Sequence, residues 1–472
     1  MCGVVTVMSY GGRIVDREEL IRIRDAMAAR GPDDAGYWVS SDGVVGMGHR
    51  RLSILDLSVA GAQPMSTSDG ALRIVFNGEI YNYRELRHRL ETKNYLFRSG
   101  TDTEVLLHLY NEKAEKMLSE LRGMYAFVIW DERRRRVFAA RDPLGIKPLY
   151  YADDGRFLRI GSQVKALLRG GAIKSGLDSA GQAGFLTLGY VPDPFTLYSN
   201  VKAVPAGAYL TADCVSRASI HSFCRIEDEF ATAAEQRGRS TTAISEAIHA
   251  AVTDSVDHHL IADVPVGVFL SAGLDSTVLT AIAAGSPNAQ LKTVTLGFDE
   301  YRGSECDETV LAESVAERYG TCHQTRWVKR DEFHEAYEQL LSAMDQPSID
   351  GVNTYFVAKA SREAGLKAAI SGVGGDEIFG GYPSFTQVPK MVSAFSRING
   401  SVIGRALRIA LSPALSRVWS AKYAGIVEYG GSWGGGLFVT SRFVYAVGDS
   451  CDFGPRNCTG WFEPASIELA FR

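Results

Sequence analysis

The chain is predicted to be an α+β layered sandwich followed by an α/β domain with a parallel sheet. Three observations carry this. Short apolar runs separated by turn formers fill the sequence up to about residue 170, strand–helix alternation takes over near residue 243, and 472 residues exceed one ordinary domain.

In the first region VVTVM at 4–8, VVGMG at 44–48, LRIVF at 72–76, YAFVIW at 125–130 and RVFAA at 136–140 read as buried strands. Helical stretches near 17–29 and 103–121 interrupt them. Pro192, Pro194 and Pro205 punctuate the exit, so the first domain is assigned to 1–195 and a connection, rich in charge and alanine over 226–242, to 196–242. A helix at 243–260 then leads to the strand VGVFL at 266–270, the loop SAGLDS and a helix at 277–284. The strand LKTVTLGF at 291–298 and a helix at 307–319 follow. Such alternation indicates a parallel sheet covered on both faces, assigned to 243–435.

Composition narrows the function. With 46% hydrophobic and 22% charged residues the chain is not disordered. A formal charge of −5, from 50 basic and 55 acidic residues, argues against a globally basic nucleic-acid binder. No apolar run approaches the roughly 20 residues that span a bilayer; the best, 264–285, is broken by Asp275. No nucleic-acid or membrane partner is therefore expected. The start MCGVVTVMSYGG lacks the basic segment of a secretion signal. None of the seven cysteines forms C-x-x-C, and Cys451 and Cys458 lack histidine partners at zinc spacing. Reduced thiols and a cytoplasmic location are expected. The oligomeric state stays open, a homodimer among the alternatives.

Cys2 directly follows the initiator Met, and a small second residue permits Met removal. The mature chain would then carry a thiol and a free α-amine on one residue. An α-amine of reference pKa near 8 can take the thiol proton. Around it stand RGPDDAG (30–36), GHRRLSILD (48–56), GAQPM (61–65), FNGEIYN (76–82), SGTDTE (99–104) and RDPLGIKPLYY (141–151). In these segments the chain resembles the class II glutamine amidotransferases, and among them the asparagine synthetase family, over nearly the whole amino-terminal half. The resemblance implies an N-terminal-nucleophile αββα fold in which Cys2 attacks the glutamine side-chain amide. Asn77 and the Gly78 N–H would form the oxyanion hole. Arg51 would fork onto the glutamine carboxylate, and Asn77, Glu79 and Asp102 would complete the glutamine site. His49 is expected to be structural. Gln163 stands where the family usually has Glu.

The loop 271–276 lies between a strand and a helix, where small residues let backbone N–H groups approach an anion. It resembles the S-G-G-x-D-S pyrophosphate loop of enzymes that cleave ATP to AMP and pyrophosphate. Ala272 replaces the first Gly, a tolerable change unless a positive φ is required. SGVGGDEIFGGYPSF at 371–385 resembles the family's second signature. The resemblance implies an adenine nucleotide α-hydrolase-like domain. It assigns Leu270, Ser271, Gly273, Asp275, Ser276, Leu296, Gly297, Ser371 and Gly372 to ATP, and Asp275 and Asp376 to Mg²⁺.

The implied reaction is ATP-dependent amide formation with glutamine as nitrogen donor, by default asparagine from aspartate. Val373 stands where many asparagine synthetases carry Glu, which leaves another acceptor carboxylate, such as a sugar acid, as an alternative. Residues 436–472 depart from the family. With suitably chosen synonymous codons, GLFVTSRFVYAVGD read one base later gives the family-like AYLLRRGLFMPWE, so a frameshift near codon 436 is expected. That tail sustains a second alternative, a degenerate chain retaining only glutaminase or binding activity.

Overall fold

A computed structural model describes residues 1–235, 240–286, 290–418, 423 and 425–434. The atypical segment 436–472 lies outside the described residues. The chain divides into two compact units. One comprises Met1–Ser179, Asp193–Val328 and Phe356–Ser371; the other comprises Ala180–Pro192, Lys329–Tyr355 and the described part of Gly372–Arg472.

In chain order the first elements are β1 (Gly3–Ser9), α1 (Arg17–Ala26), β2 (Asp34–Val39), β3 (Val45–Arg51), β4 (Met65–Ser66) and β5 (Leu72–Ile80). Next come α2 (Tyr83–Glu91), α3 (Asp102–Lys113), β6 (Gly123–Asp131), β7 (Arg136–Arg141), β8 (Tyr150–Asp153), β9 (Phe157–Gly161) and α4 (Val164–Arg169). They are followed by α5 (Ser179–Leu188), β10 (Lys202–Ala203), β11 (Ala208–Asp213), β12 (Ser219–Ser222), α6 (Ile226–Glu235) and α7 (Thr241–His259). Then come β13 (Val266–Phe269), α8 (Leu274–Ala284), β14 (Lys292–Phe298), α9 (Thr309–Arg318), β15 (Cys322–Val328) and α10 (Arg330–Ala343). The last are α11 (Gly351–Glu363), β16 (Ala368–Ile370), α12 (Gly375–Phe379), α13 (Ser384–Phe395), α14 (Val402–Val418) and α15 (Ile426–Tyr429).

Two antiparallel six-stranded sheets, β10-β8-β9-β1-β3-β2 and β12-β11-β7-β6-β5-β4, stack face to face. Strand period explains the layering. Val4 and Met8 of β1 meet Val75, Val128 and Trp130 in the core between the sheets. Val5 and Val7 point the other way, onto Leu20 and Ile23 of α1 and Leu167 of α4. On the far side Ile74 and Phe76 pack against Leu86 of α2 and Leu106 of α3. Burial on both faces is why these strands read as predominantly apolar runs, and the layers make the expected αββα sandwich.

The third sheet, β15-β14-β13-β16, is parallel throughout. Val268 packs with Val256 of α7 and Ala283 of α8, while Phe269, on the opposite side of the strand, lies with Ala360 of α11.

The structure corrects two boundaries. Residues 196–222, expected as connection, supply β10, β11 and β12 to the sandwich; β11 pairs with β7 along Tyr209–Asp213 against Ala140–Arg136. β10 and β12 are short edge strands without an apolar run, and β11 shows only a brief alternation of buried Ala208, Leu210 and Ala212 with half-exposed residues. The helix expected at 277 begins at Leu274, inside the loop, because Gly273 already occupies the N-cap position.

Candidate functional site

Cys2 sits just ahead of β1, whose Gly3 pairs with Arg50 of β3. Its thiol rests on the backbone of Leu52, donating to the carbonyl at 3.6 Å and accepting the N–H at 3.4 Å. Arg30 Nε holds the Cys2 carbonyl at 3.0 Å. Burial pushes the thiol pKa up, against the Leu52 N–H and the terminal cation, which pull it down. Burial also lowers the amine of Met1 to about 6.

Asn77 lies near the end of β5 and is 1% exposed. Its Nδ2 is buried without a hydrogen-bond partner among the described residues, an uncommon condition for a native side chain. His49 Nε2 meets the Phe76 carbonyl at 3.0 Å and so ties β3 to β5 one residue before Asn77. Burial lowers the pKa of this imidazole to about 4. Gly78 has no room for a side chain: a Cβ would fall 2.3 Å from the Met124 carbonyl oxygen.

Glu79 follows, and Asp102 opens α3 with its carboxylate accepting the Ile80 N–H at 2.9 Å. Both carboxyls are pushed upward by burial, Glu79 further by the charge of Asp102. Two buried carboxyls side by side suit an incoming cation. Arg51, 6% exposed at the end of β3, donates to the carbonyls of Ser58 at 2.9 Å, Leu55 at 3.3 Å and Asp56. Three of its five N–H groups are thus engaged, and two remain for a carboxylate. All six residues predicted for the amino-terminal site lie where β1 begins and β3 and β5 end, beside the start of α3.

Lys147 was not singled out from the sequence. It is 7% exposed, its amine lowered by burial, and its charge acts on Cys2 and Glu79. Fully buried Asp142 builds its loop, accepting the N–H groups of Ile146 and Lys147, each at 2.9 Å. The signal was present in RDPLGIKPLYY, where a Lys sits five residues after an Asp in a turn-forming stretch.

The nucleotide candidates cluster at the carboxyl ends of adjacent parallel strands, where ligands bind in open α/β sheets. Leu270 ends the β13 segment, and its N–H reaches the Val294 carbonyl at 3.0 Å. Ser276 Oγ lies 3.1 Å from Ser271 Oγ and 3.2 Å from the Ser271 nitrogen, closing the loop on itself. No side chain caps α8, so its first N–H groups are open to an anion. Asp275 is in its first turn, and Ala272 has φ +61°. The loop places this position at positive φ, and an alanine adopts it. Leu296 and Gly297 end β14; a Cβ on Gly297 would strike the Trp327 ring at 2.8 Å. Ser371 directly follows β16.

Within the second unit Gly372 leads to Gly374 at φ +104° and to α12, which carries Asp376 in its first turn. A Cβ on Gly381 would fall 2.0 Å from Asp376 Oδ1, so that glycine makes room for the carboxylate. Val373 is 86% exposed. Among the described residues no three or more His, Cys, Asp or Glu side chains gather as a metal site, and no helix is long and apolar enough to cross a membrane.

An αββα sandwich with this terminal cysteine site, followed by a parallel sheet with an anion-receptive loop, defines a glutamine amidotransferase module joined to a synthetase module. Residues 1–223 match the glutamine amidotransferase domain family and residues 247–428 the asparagine synthase family. The chain belongs to the glutamine-hydrolysing asparagine synthetase family. It is 35% identical over 415 residues to asparagine synthetase [glutamine-hydrolyzing] 1 of Bacillus subtilis (strain 168), covering 87% of this chain and 63% of that protein. A Methanocaldococcus jannaschii protein named as a glutamine-hydrolyzing asparagine synthetase is 33% identical over 405 residues, covering 81% of this chain and 76% of its own length. Among solved structures, a glutamine phosphoribosylpyrophosphate amidotransferase from B. subtilis aligns with 78% of this chain and 81% of its own at TM-score 0.37 and 18% identity. The chain thus spans about 63% of the first B. subtilis relative.

Proposed function

We propose that the chain makes asparagine: aspartate, glutamine and ATP give asparagine, glutamate, AMP and diphosphate. The observation that carries this reading is the buried, unpartnered Nδ2 of Asn77 on the strand whose Glu79 acts by its charge on the Cys2 thiol and is itself acted on by the charge of Asp102. A donor without an acceptor costs stability, about 1–3 kcal/mol, and is retained where a substrate atom supplies the acceptor.

With Met1 removed, the Cys2 amine takes the thiol proton and Sγ adds to the glutamine amide carbon. The oxyanion forms against Asn77 Nδ2–H and the Gly78 N–H. The proton moves to the departing nitrogen, ammonia leaves, and water hydrolyses the thioester to glutamate. Arg51 takes the α-carboxylate of glutamine, while Glu79 and Asp102 take its ammonium.

In the synthetase part an oxygen of the aspartate side-chain carboxylate attacks the α-phosphorus of ATP and expels diphosphate. Ammonia then displaces AMP. The open N–H groups of α8, with Leu270, Ser271, Gly273 and Ser276, cradle the phosphates; Leu296, Gly297 and Ser371 line the remainder of the nucleotide site. Mg²⁺ would be held by phosphate oxygens plus one or two carboxylates of the chain. Asp275, whose carboxylate accepts no hydrogen bond among the described residues, fits that need, and Asp376 is the second candidate by motif. When bound, the ion neutralises charge on the departing diphosphate.

The test is glutamate and AMP release by the purified chain. Glutamate release abolished by Cys2→Ala, together with aspartate-dependent AMP, supports the reading. Glutamate release without any aspartate-dependent AMP rejects asparagine as the product.

A further inference from the structure

We propose that Asp263 and Lys367, both outside the amidotransferase sandwich, are positioning residues of the glutamine pocket. They hold from the nucleotide-sheet side the loop that holds Arg51. The inference rests on the reading above, in which Arg51 receives the glutamine carboxylate.

Residues 54–58 wrap the Arg51 guanidinium through the Leu55, Asp56 and Ser58 carbonyls. Asp56 is the hub. Its backbone is left-handed at φ +50°, a conformation that Asp adopts more readily than most non-glycine residues. Its carboxylate accepts Ser58 Oγ at 2.6 Å and the Gly100 N–H at 2.8 Å. Gly100 lies two residues before Asp102, so Asp56 ties the guanidinium side of the pocket to the carboxylate side.

Groups that hold this loop come from far along the chain. Asp263, in the connection from α7 to β13, accepts the Asp56 N–H on Oδ2 at 2.7 Å and donates its own N–H to the Ile54 carbonyl at 2.9 Å. Lys367, immediately before β16, donates Nζ to Asp33 Oδ2 at 2.8 Å, and that same oxygen accepts the Ser53 N–H at 2.9 Å. β13 and β16 are neighbours in the parallel sheet. Their starts grip residues 53–56, while their ends carry Ser271 and Ser371.

Glutamate release by the full chain, titrated with glutamine, tests this. Asp263→Ala and Lys367→Ala each raise KM for glutamine about fivefold or more with kcat within about twofold. Asp263→Asn, which keeps an oxygen to accept the Asp56 N–H, and Lys367→Arg, which keeps the cation, return KM to within about twofold of the parent. Arg122→Ala is the control: Arg122 pairs with Asp254 of α7 without touching the loop, and KM stays unchanged. The inference is overturned if KM is unmoved in both alanine variants, if the conservative variants are no better than alanine, or if Arg122→Ala raises KM equally. Should Asp263→Ala not fold, half-exposed Lys367 decides alone. A parent chain that releases no glutamate, or releases it without Cys2, sinks the underlying reading; parental release with unmoved variants sinks this inference only.

Discussion

The carboxylate of Asp102 accepts the backbone N–H of Ile80 at 2.9 Å, which draws the first turn of α3 onto the end of β5 and sets a second buried carboxyl beside Glu79. Burial raises both above the ordinary carboxylate range, so the ligand-free pair keeps protons that an unfolded chain would release. For raised acids the linkage runs downward with pH: their contribution to stability is present below about pH 4 and is lost as pH climbs through the raised values. An ammonium needs the opposite, ionised carboxylates. Glutamine binding to a Cys2→Ala chain is therefore expected to release protons near neutrality and to tighten from pH 6 to 8. Calorimetry in buffers of different ionisation enthalpy measures this. Glu79→Gln flattens the pH dependence and weakens binding about tenfold or more, the worth of one charge-assisted hydrogen bond.

Asn77 separates function from stability. Its amide nitrogen has no partner among the described residues, so the resting fold gains nothing from it. Asn77→Ala is expected to leave the melting temperature within a few degrees of the parent while lowering glutaminase kcat by about 10²–10³. A large loss of stability with little loss of rate would show the side chain to be structural.

The amino terminus gives a third expectation. With Met1 in place burial raises the Cys2 thiol, so the site favours the neutral thiol over a thiolate. Such a thiol depends on an adjacent base. The active chain is expected to begin at Cys2 by mass, and protein retaining Met1 is expected to lose at least about 100-fold in glutaminase rate, because the Cys2 nitrogen is then an amide.

What the sequence revealed and what it concealed follow from locality. The two-sided burial of β1 and β5 leaves predominantly apolar runs, so these strands were legible, and the candidate cysteine site is written in short contiguous segments. β12, SIHS with every residue exposed, carries no pattern, and β2 is a half-exposed edge, so both were missed. Lys147 and Asp142 are buried charges whose segment looks like any solvated turn until the chain is folded. The Asp56–Asp263 bond joins residues 207 apart, and no local pattern announces such a contact.

Ala272 offers the sharpest test of the nucleotide loop. At φ +61° its Cβ lies in the left-handed region, which costs an L-residue roughly 1–2 kcal/mol. Its methyl also packs against the cluster of Leu270, Ala312 and Ala316, which offsets part of that cost. Ala272→Gly relieves the strain, loses the methyl contact and adds unfolded-state freedom, so the expected change in unfolding free energy is within about 1 kcal/mol, with nucleotide binding kept. Ala272→Val cannot use the same balance, because a β-branched side chain at positive φ is a far worse fit. It is expected to cost about 2 kcal/mol or more, or to tip the loop out of shape and weaken ATP binding at least about tenfold. Denaturant unfolding and nucleotide titration of the two variants measure both effects. An Ala272→Val chain that matches the parent in both would mean that the loop does not hold residue 272 in the left-handed conformation.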